Sequence, residues 1–289
     1  MIPAGFEYHA PRSVADAIKL LGDLGPDAKL LAGGHSLLPM MKMRFAQPGH
    51  LIDLGRIAEL KGIREDKGAL VIGAMTTENE LIWSQLLQDK CPLLVEGARL
   101  ISDPQVRYKG TIGGDISHGD PGNDHPALML ALDASFVLKG PKVERVVKAD
   151  GFFLGLYSTL LEADEILTQI RMPIPAPGSG WSYQKLKRKT GDFATAATAV
   201  LLQMNGANVA KVNIALTNAG ATPLRAQAAE AYLVGKPIND ASLTEASRLA
   251  MSICDPTPAP RGDADYKRAM CGEMTRRALQ AAHSRVRKP

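Results

Sequence analysis

The sequence predicts an α+β protein of two domains, the first over residues 1–177 and the second over residues 178–289. Short apolar runs alternate with helical segments in the first part, whereas strand patterns followed by helices dominate the second. Between them, residues 172–180 read Met-Pro-Ile-Pro-Ala-Pro-Gly-Ser-Gly, the densest proline and glycine stretch of the chain. Such a stretch is typical of a connection between domains, and 289 residues suffice for two hydrophobic cores.

In the first domain, the spacing of apolar residues predicts both helices and strands. The segments with helical spacing are predicted as helices over 13–24, 92–102 and 126–132. An apolar strand over 29–32 precedes a further helix over 36–44. Ser36 is suited to cap that helix, and Pro39 is tolerated because it falls in the first turn.

Two polar segments flank the second pair of adjacent glycines in the first domain. Residues 103–110 form a polar connection, and residues 116–125 are too rich in glycine, aspartate and asparagine for regular structure. A long loop of small polar residues between packed elements often contacts a ligand. A solvated surface loop is the alternative interpretation of residues 116–125.

The second domain combines strand patterns with three helical segments. We predict strands over 181–187 and 209–216, the latter from the alternation of apolar with other residues. Residues 194–204 are small and apolar, which suits either a helix or a strand. The predicted helices cover 226–234, 243–253 and 264–282.

Two segments carry adjacent glycines after apolar runs: Ala32–Ser36 (Ala-Gly-Gly-His-Ser) and Thr111–Asp115 (Thr-Ile-Gly-Gly-Asp). Successive backbone N–H groups that no side chain blocks can close on an anion, and the start of a helix favours a phosphate. Together the segments indicate a diphosphate ligand, although each alone also fits an ordinary strand-to-helix turn. Neither has the Gly-x-Gly-x-x-Gly or Gly-Lys-Ser/Thr pattern, which excludes a Rossmann fingerprint and a P-loop.

Composition excludes several other functional classes. The apolar content of 45% argues against disorder, and a net charge of +4 is too small for a dedicated nucleic-acid binder. The three cysteines are too few to hold an ordinary iron–sulfur cluster, and no His-x-x-x-His pattern predicts a zinc site. No segment approaches the ~20 apolar residues that span a bilayer, and no signal peptide is apparent, so we expect a cytoplasmic protein.

The two glycine segments resemble those of the FAD-binding medium subunits of the molybdenum hydroxylases, the xanthine dehydrogenase family. Residues 3–17, 72–77 and 119–124 share the resemblance, which extends from residue 2 to about residue 281. Lys185–Lys189 and Gly191–Ala194 make it greatest for the medium subunits of aerobic carbon monoxide dehydrogenases. It implies a two-part FAD-binding domain of the flavin-oxidase (PCMH) type, followed by a three-stranded antiparallel sheet backed by helices.

The resemblance also implies which residues bind FAD, without a covalent bond. The backbone N–H groups of residues 33–36 would hold the pyrophosphate, with the Ser36 hydroxyl as a further donor and Gly113–Gly114 closing from the other side. Ile101 and Phe193 would lie near the isoalloxazine, Asp124 would contact the cofactor, and Lys185 would stabilise negative charge on it. The full predicted set is Ala32, Gly33, Gly34, His35, Ser36, Ile101, Thr111, Ile112, Gly113, Gly114, Asp115, Asp124, Lys185 and Phe193. No catalytic residue or metal ligand is predicted.

Each of these roles has a structural alternative. Asp124 is placed to cap the helix at residue 126, Phe193 suits a core, and Lys185 suits a solvated strand. For His35, a structural role in the phosphate segment is a better interpretation than catalysis. Many relatives have Asn where Asp115 stands and Tyr where Phe193 stands. Because a carboxylate repels a pyrophosphate, we expect Asp115 to contribute backbone donors or to turn away.

The resemblance implies an electron-transfer subunit with two partner chains. Molybdopterin would lie on a large subunit and [2Fe-2S] clusters on a small one. The three chains would assemble as a dimer of heterotrimers. Through this complex the protein would also be able to contact the inner face of the membrane peripherally. FAD would receive electrons from the clusters and pass them to an acceptor such as a quinone. The alternatives are a self-contained FAD-dependent oxidase or reductase, a medium subunit of the xanthine or aldehyde type, and an assembly module without activity.

Overall fold

The structure is a computed structural model that describes residues 2–286, and it begins with a small parallel sheet. The strands are β1 (Glu7–His9), β2 (Ala28–Leu31) and β3 (His50–Asp53), in the order β1-β3-β2. Helix α1 (Val14–Leu24) packs against this sheet through residues four apart, such as Val14 and Ile18, which are buried beside Ile52. Helix α2 (Leu37–Lys42) follows β2.

A five-stranded antiparallel sheet forms the centre of the first part. Its strands are β4 (Ile63–Asp66), β5 (Ala69–Gly73), β6 (Ser135–Lys139), β7 (Glu144–Lys148) and β10 (Ile166–Pro173), in the order β4-β5-β10-β6-β7. The short strands β8 (Phe153–Gly155) and β9 (Ser158–Thr159) pair with each other. The helices inserted between β5 and β6 are α3 (Glu78–Trp83), α4 (Gln85–Lys90), α5 (Pro92–Leu100), α6 (Pro104–Lys109), α7 (Ile112–His118) and α8 (His125–Ala131).

The last part is an antiparallel sheet backed by helices. Strands β11 (Gly180–Leu186), β12 (Ala196–Asn205), β13 (Asn208–Thr217) and β14 (Leu224–Arg225) follow one another in space as in sequence. Helices α9 (Gln227–Leu233), α10 (Asp240–Ser252) and α11 (Ala264–Ser284) follow. The α+β class and these helices are confirmed, and the predicted boundary after residue 177 lies in the connection between β10 and β11.

The last sheet settles one prediction left open by the sequence and corrects another. The ambiguous segment 194–204 is a strand, β12, because it pairs on both sides as a central member of the sheet. The sheet has four strands where the family resemblance implied three, since the two residues of β14 add an edge. One face of β11 and β12 also joins the core of the first part, where Tyr183 and Ala199 are fully buried.

Residues 103–110, predicted as a polar connection, contain helix α6. Residues 116–125 are irregular from 119 to 124, as predicted, and only their ends belong to helices, α7 through residue 118 and α8 from residue 125. Helix α6 begins with Pro104 after Asp103, whose side chain accepts a hydrogen bond from the backbone N–H of Val106. Helix α7 includes the glycine pair itself, capped by the Thr111 hydroxyl and ended by Gly119 with φ 66°. Capping at both ends therefore outweighs the low helix propensity of its glycines.

The predicted cap of helix α2 was also wrong. Ser36 has φ −103° and ψ −51°, which is helical rather than extended, and its side chain makes no capping hydrogen bond. A capping side chain normally needs an extended backbone to reach the N–H groups of the first turn. The Ser36 hydroxyl thus remains available at the start of the helix.

None of the helices within residues 2–286 is both long and apolar enough to cross a membrane.

We expect Gly113→Ala to lower the free energy of unfolding by about 1–3 kcal/mol, as overpacking does. An added Cβ would lie 2.5 Å from both the Cβ and the carbonyl oxygen of Ala74, and the backbone cannot swing aside. Gly22→Ala is the matched control, since Gly22 lies in α1 with no atom within 4 Å of its added Cβ. That control should raise stability by about 0.5–1 kcal/mol. Urea unfolding of both variants measures the difference, and equal effects would contradict the packing argument.

Candidate functional site

The first glycine segment connects β2 to α2 and presents unpaired backbone donors. Within residues 2–286, the N–H groups of residues 33–36 donate to no acceptor of the protein. Gly34 has φ +77°, which turns the chain so that consecutive N–H groups can face one ligand. A Cβ on Gly33 would lie 2.2 Å from the carbonyl oxygen of Lys109. Only a glycine therefore lets this segment approach the backbone of Lys109 so closely.

His35 has a local structural contact. Its Nδ1 lies 2.9 Å from the carbonyl oxygen of Gly33, an acceptor, so the ring nitrogen donates this bond. The imidazole is exposed and has no acidic partner among the described residues. This geometry fits the structural role favoured for His35 rather than catalysis.

The second glycine segment differs, because its backbone donors are already satisfied. The N–H of Ile112 donates to the carbonyl of Thr76 at 3.1 Å, and that of Gly113 to the carbonyl of Ala74 at 2.9 Å. Gly114 donates to the Thr111 hydroxyl at 3.2 Å, and Asp115 to the Thr111 carbonyl at 3.0 Å. The expectation that this segment offers successive free donors was therefore wrong, and of the two alternatives given for Asp115 the contribution of a free backbone donor is excluded. Its glycines instead permit close packing.

The two glycine segments meet at one cavity of about 810 Å³, within the range of cofactor sites. A Cβ on Gly114 would lie 3.3 Å from the Cβ of Ala32, so the segments lie side by side. The cavity is lined by thirteen of the fourteen predicted residues, namely Ala32, Gly33, Gly34, His35, Ser36, Ile101, Thr111, Gly113, Gly114, Asp115, Asp124, Lys185 and Phe193. Ile112 is the exception, since it is fully buried in the core and does not line the cavity.

Asp124 and Lys185 form a buried ion pair on the cavity wall. The Lys185 Nζ lies 2.6 Å from the Asp124 Oδ2, and the two side chains are 1% and 6% exposed. The Lys185 Nζ also donates to the carbonyl of Leu100 at 3.2 Å. The solvated-strand alternative for Lys185 was therefore wrong. The capping alternative for Asp124 was wrong too, because its side chain makes no capping bond to α8.

Sequence reasoning missed a third member of this cluster. The Tyr183 hydroxyl donates to the Asp124 Oδ1 at 2.5 Å and lies 3.2 Å from the Thr217 hydroxyl. Burial, followed by the charge of Asp124, raises the pKa of Tyr183 well above its usual value, so the hydroxyl stays protonated. The sequence did offer one signal for Tyr183: it stands two residues before Lys185, and residues two apart on a strand lie on the same face.

A second buried pair adjoins the cavity, which Glu78 helps to line. Both carboxylate oxygens of Glu78 lie within 2.9 Å of the Nε2 of His125. Burial disfavours the imidazolium, but the adjacent Glu78 carboxylate outweighs it and raises the pKa of His125 to about 9. The residues are 47 positions apart, so no local pattern reveals the pair. Its ionic character fixes the start of α3 against α8.

Asp115 lines the cavity with an unpartnered carboxylate oxygen and a raised pKa. Its Oδ2 is buried and has no hydrogen-bond partner among the described residues. Burial, together with the neighbouring carboxylates of Glu78, Asp124 and Asp120, raises the pKa of Asp115 to about 7, although the charge of His125 opposes the shift. A neutral carboxyl avoids the repulsion that we expected between Asp115 and an anionic ligand.

Phe193 lies at the cavity rim rather than in the core, so the core alternative was wrong. The ring is 47% exposed and lies 5.7 Å from the Arg261 guanidinium. The preceding Asp192 binds Arg261 at 2.7 Å and Arg188 at 3.0 Å, and these hydrogen bonds lower the pKa of Asp192 to about 2. The ion pairs hold the turn that presents Phe193, while Ile101 lines the same cavity from the end of α5.

The chain matches two protein families. Residues 4–175 match the family described as FAD binding domain in molybdopterin dehydrogenase. Residues 181–282 match the CO dehydrogenase flavoprotein C-terminal domain.

Similar proteins cover the whole chain. The carbon monoxide dehydrogenase medium chain of Hydrogenophaga pseudoflava is 59% identical over 285 residues, covering 99% of each protein. The corresponding chain of Afipia carboxidovorans is 50% identical over 287 residues, covering 99% of this chain and 100% of the relative. A solved structure of carbon monoxide dehydrogenase from Hydrogenophaga pseudoflava, which lacks the Mo-pyranopterin moiety of the molybdenum cofactor, is also similar. It matches with a TM-score of 0.98 at 61% identity, covering 99% of this chain and 100% of that one. The chain therefore belongs to the family of FAD-binding flavoprotein subunits of molybdopterin dehydrogenases.

Proposed function

We propose that this chain is the FAD-carrying medium subunit of an aerobic carbon monoxide dehydrogenase. The observation that carries the proposal is the cavity of about 810 Å³ with four unpaired backbone N–H groups, at residues 33–36, along its edge. When bound there, FAD supplies a group that accepts single electrons and releases them in pairs. The similarity to two carbon monoxide dehydrogenase medium chains supports the choice of complex.

The residues around the cavity fit FAD in three respects. The N–H groups of residues 33–36 match the acceptor oxygens of a diphosphate, and the Ser36 hydroxyl, which makes no capping bond, can add a donor. Asp115 is neutral below its pKa of about 7 and then tolerates the anion. Ile101 and Phe193 provide apolar surface for a flat ring. Because the N–H groups of residues 112–115 are already used, we assign the second glycine segment to shaping the cavity rather than to binding phosphate.

Lys185 was predicted to stabilise negative charge on the flavin, and we propose instead that it orients the cofactor. Its charge is compensated by Asp124 at 2.6 Å, so it is not a free cation. Lys185 still lines the cavity, where its ammonium can orient a polar edge of the cofactor while Asp124 and Leu100 hold it in place.

Most of the buried titratable groups at the cavity are engaged with protein partners. Among the described residues, Asp124, Lys185 and Tyr183 bind one another, and the buried His125 is engaged with Glu78. Asp115 differs, because its Oδ2 has no partner, so the cavity chemistry alone does not separate an electron carrier from an oxidase. The similarity to carbon monoxide dehydrogenase medium chains favours electron transfer over chemistry on an organic substrate.

We also propose the partners and the place of the protein. Electrons come from [2Fe-2S] clusters on a small subunit, and the substrate is oxidised at molybdopterin on a large subunit. The assembly is a dimer of heterotrimers that passes electrons to an acceptor such as a quinone. It is cytoplasmic, with peripheral contact at the inner membrane face. The division after residue 177 separates the FAD-binding domain from the domain of the carbon monoxide dehydrogenase flavoprotein type.

We expect Ser36→Ala to weaken FAD binding about tenfold, the loss of one hydrogen bond to a charged group of about 1.5 kcal/mol. Stability should not change, because the Ser36 hydroxyl makes no capping bond to α2. Ser284→Ala, an exposed serine on α11, is the control and should bind FAD like the wild type. Fluorescence titration measures the affinities.

Acid precipitation should release FAD into the supernatant, and flavin retained in the pellet would contradict non-covalent binding.

FAD affinity should fall as the pH rises from about 6 to about 8, because Asp115 ionises with a pKa of about 7. Below that pKa the carboxyl is neutral, and above it the carboxylate repels the diphosphate. Asp115→Asn should flatten this dependence and keep the tighter binding at high pH. A pH-independent wild type, or an equal slope in the Asn variant, would contradict the placement of Asp115 beside the diphosphate.

Electrons should reach the flavin only within the assembled complex. In anaerobic stopped-flow measurements with carbon monoxide, the isolated FAD-loaded chain should keep its flavin absorption, whereas the reconstituted complex should lose it. Small organic donors serve as the comparison for the isolated chain. Bleaching of the isolated chain by such a donor at a rate comparable to that of the complex would favour a self-contained oxidoreductase.

A further inference from the structure

Three donor groups converge on one face of the parallel sheet, away from the cavity. Glu7 and His9 are two residues apart on β1, so their side chains share a face. His50 begins β3 and pairs with Glu7 in parallel register. The sheet therefore places one carboxylate and two imidazoles together.

The distances between the donor atoms are short. The Nε2 of His9 lies 3.2 Å from the Nδ1 of His50, and the same Nδ1 lies 3.6 Å from the Oε2 of Glu7. Each group offers one ligand atom, and the three atoms lie within 4.8 Å of one another. Zinc binds histidine nitrogen at about 2.0–2.1 Å, so neighbouring ligand atoms of a tetrahedral site are about 3.4 Å apart. The two observed separations lie on either side of that value.

The surroundings leave these groups available to an ion. The Glu7 side chain is 75% exposed and can rotate toward the histidines, whereas His50, at 23%, is held more firmly. Tyr8 and Asp53 point to the opposite face, where the Tyr8 hydroxyl donates to the Asp53 carboxylate. The neighbouring Asp27 is occupied by the backbone N–H of Gly49. The candidate ligands are therefore three, with room for water as the fourth.

We propose that Glu7, His9 and His50 form a binding site for a zinc ion. Two imidazoles and a carboxylate are ligands that zinc favours, and three protein ligands leave one position for water. The ion would fasten β1, a three-residue edge strand, to the central strand β3. This site lies outside the FAD cavity, so it stands independently of the proposed function. His9 and His50 are 41 residues apart, which explains why no sequence pattern predicted a zinc site.

The test is zinc titration of the full-length chain after treatment with EDTA. Calorimetry with zinc chloride should show one ion per chain, and zinc should raise the melting temperature, because a ligand that binds only the folded state stabilises it. His9→Gln and His50→Gln should each weaken binding by at least about tenfold. His283→Gln, an exposed histidine on α11, is the matched control and should titrate like the wild type.

The zinc-induced shift in melting temperature is compared within each variant, so a lost His9–His50 hydrogen bond does not affect the result. Where a histidine variant fails to fold, Glu7→Gln decides, because its side chain lies mostly in solvent. A wild type that binds no zinc would overturn the proposal. Variants at residues 9, 50 or 7 that bind zinc as tightly as the wild type would also overturn it.

Discussion

The cavity depends on two places where backbones meet without a side chain between them. A Cβ on Gly33 would lie 2.2 Å from the carbonyl oxygen of Lys109, and one on Gly113 would lie 2.5 Å from that of Ala74. The first contact joins the loop after β2 to the end of α6, and the second seats α7 against the end of β5. These contacts bring two distant segments to one cavity, where residues 33–36 line the wall and their N–H groups have no protein acceptor.

Buried polar groups then attach the last sheet to this core. Lys185 and Tyr183 of β11 both bind Asp124 at the start of α8. Glu96 of α5 accepts a hydrogen bond from the backbone N–H of Tyr183 at 2.8 Å and pairs with Arg285 at 2.5 Å. The Asp124–Lys185 pair is buried, and a buried ion left without its partner is costly, so this pair favours one relative position of the two parts. The Glu96–Arg285 pair is partly exposed and adds a weaker constraint. The cavity wall therefore depends on both.

Local patterns in the sequence predicted α1, α2, α5 and the helices after β14, together with strands β2, β11 and β13. The patterns and the family resemblance together named fourteen site residues, of which thirteen line the cavity. The same patterns missed α7, because low helix propensity at Gly113 and Gly114 conceals the caps at Thr111 and Gly119. The hydrogen bonds that engage the backbone N–H groups of Ile112 and Gly113 could not be predicted, because their acceptors lie more than thirty residues away in sequence. Buried pairs such as Glu78 and His125 were missed for the same reason, as only the fold brings them together.

We propose that the backbone of residues 33–36, and not that of residues 112–115, binds the diphosphate of FAD. Hydrogen exchange measured with and without FAD distinguishes the two segments. Amides of residues 33–36 have no protein acceptor and should exchange rapidly until FAD slows them. Those of residues 112–115 are hydrogen-bonded and should exchange slowly in both states. Protection by FAD that appears only at residues 112–115, with residues 33–36 unchanged, would contradict the account.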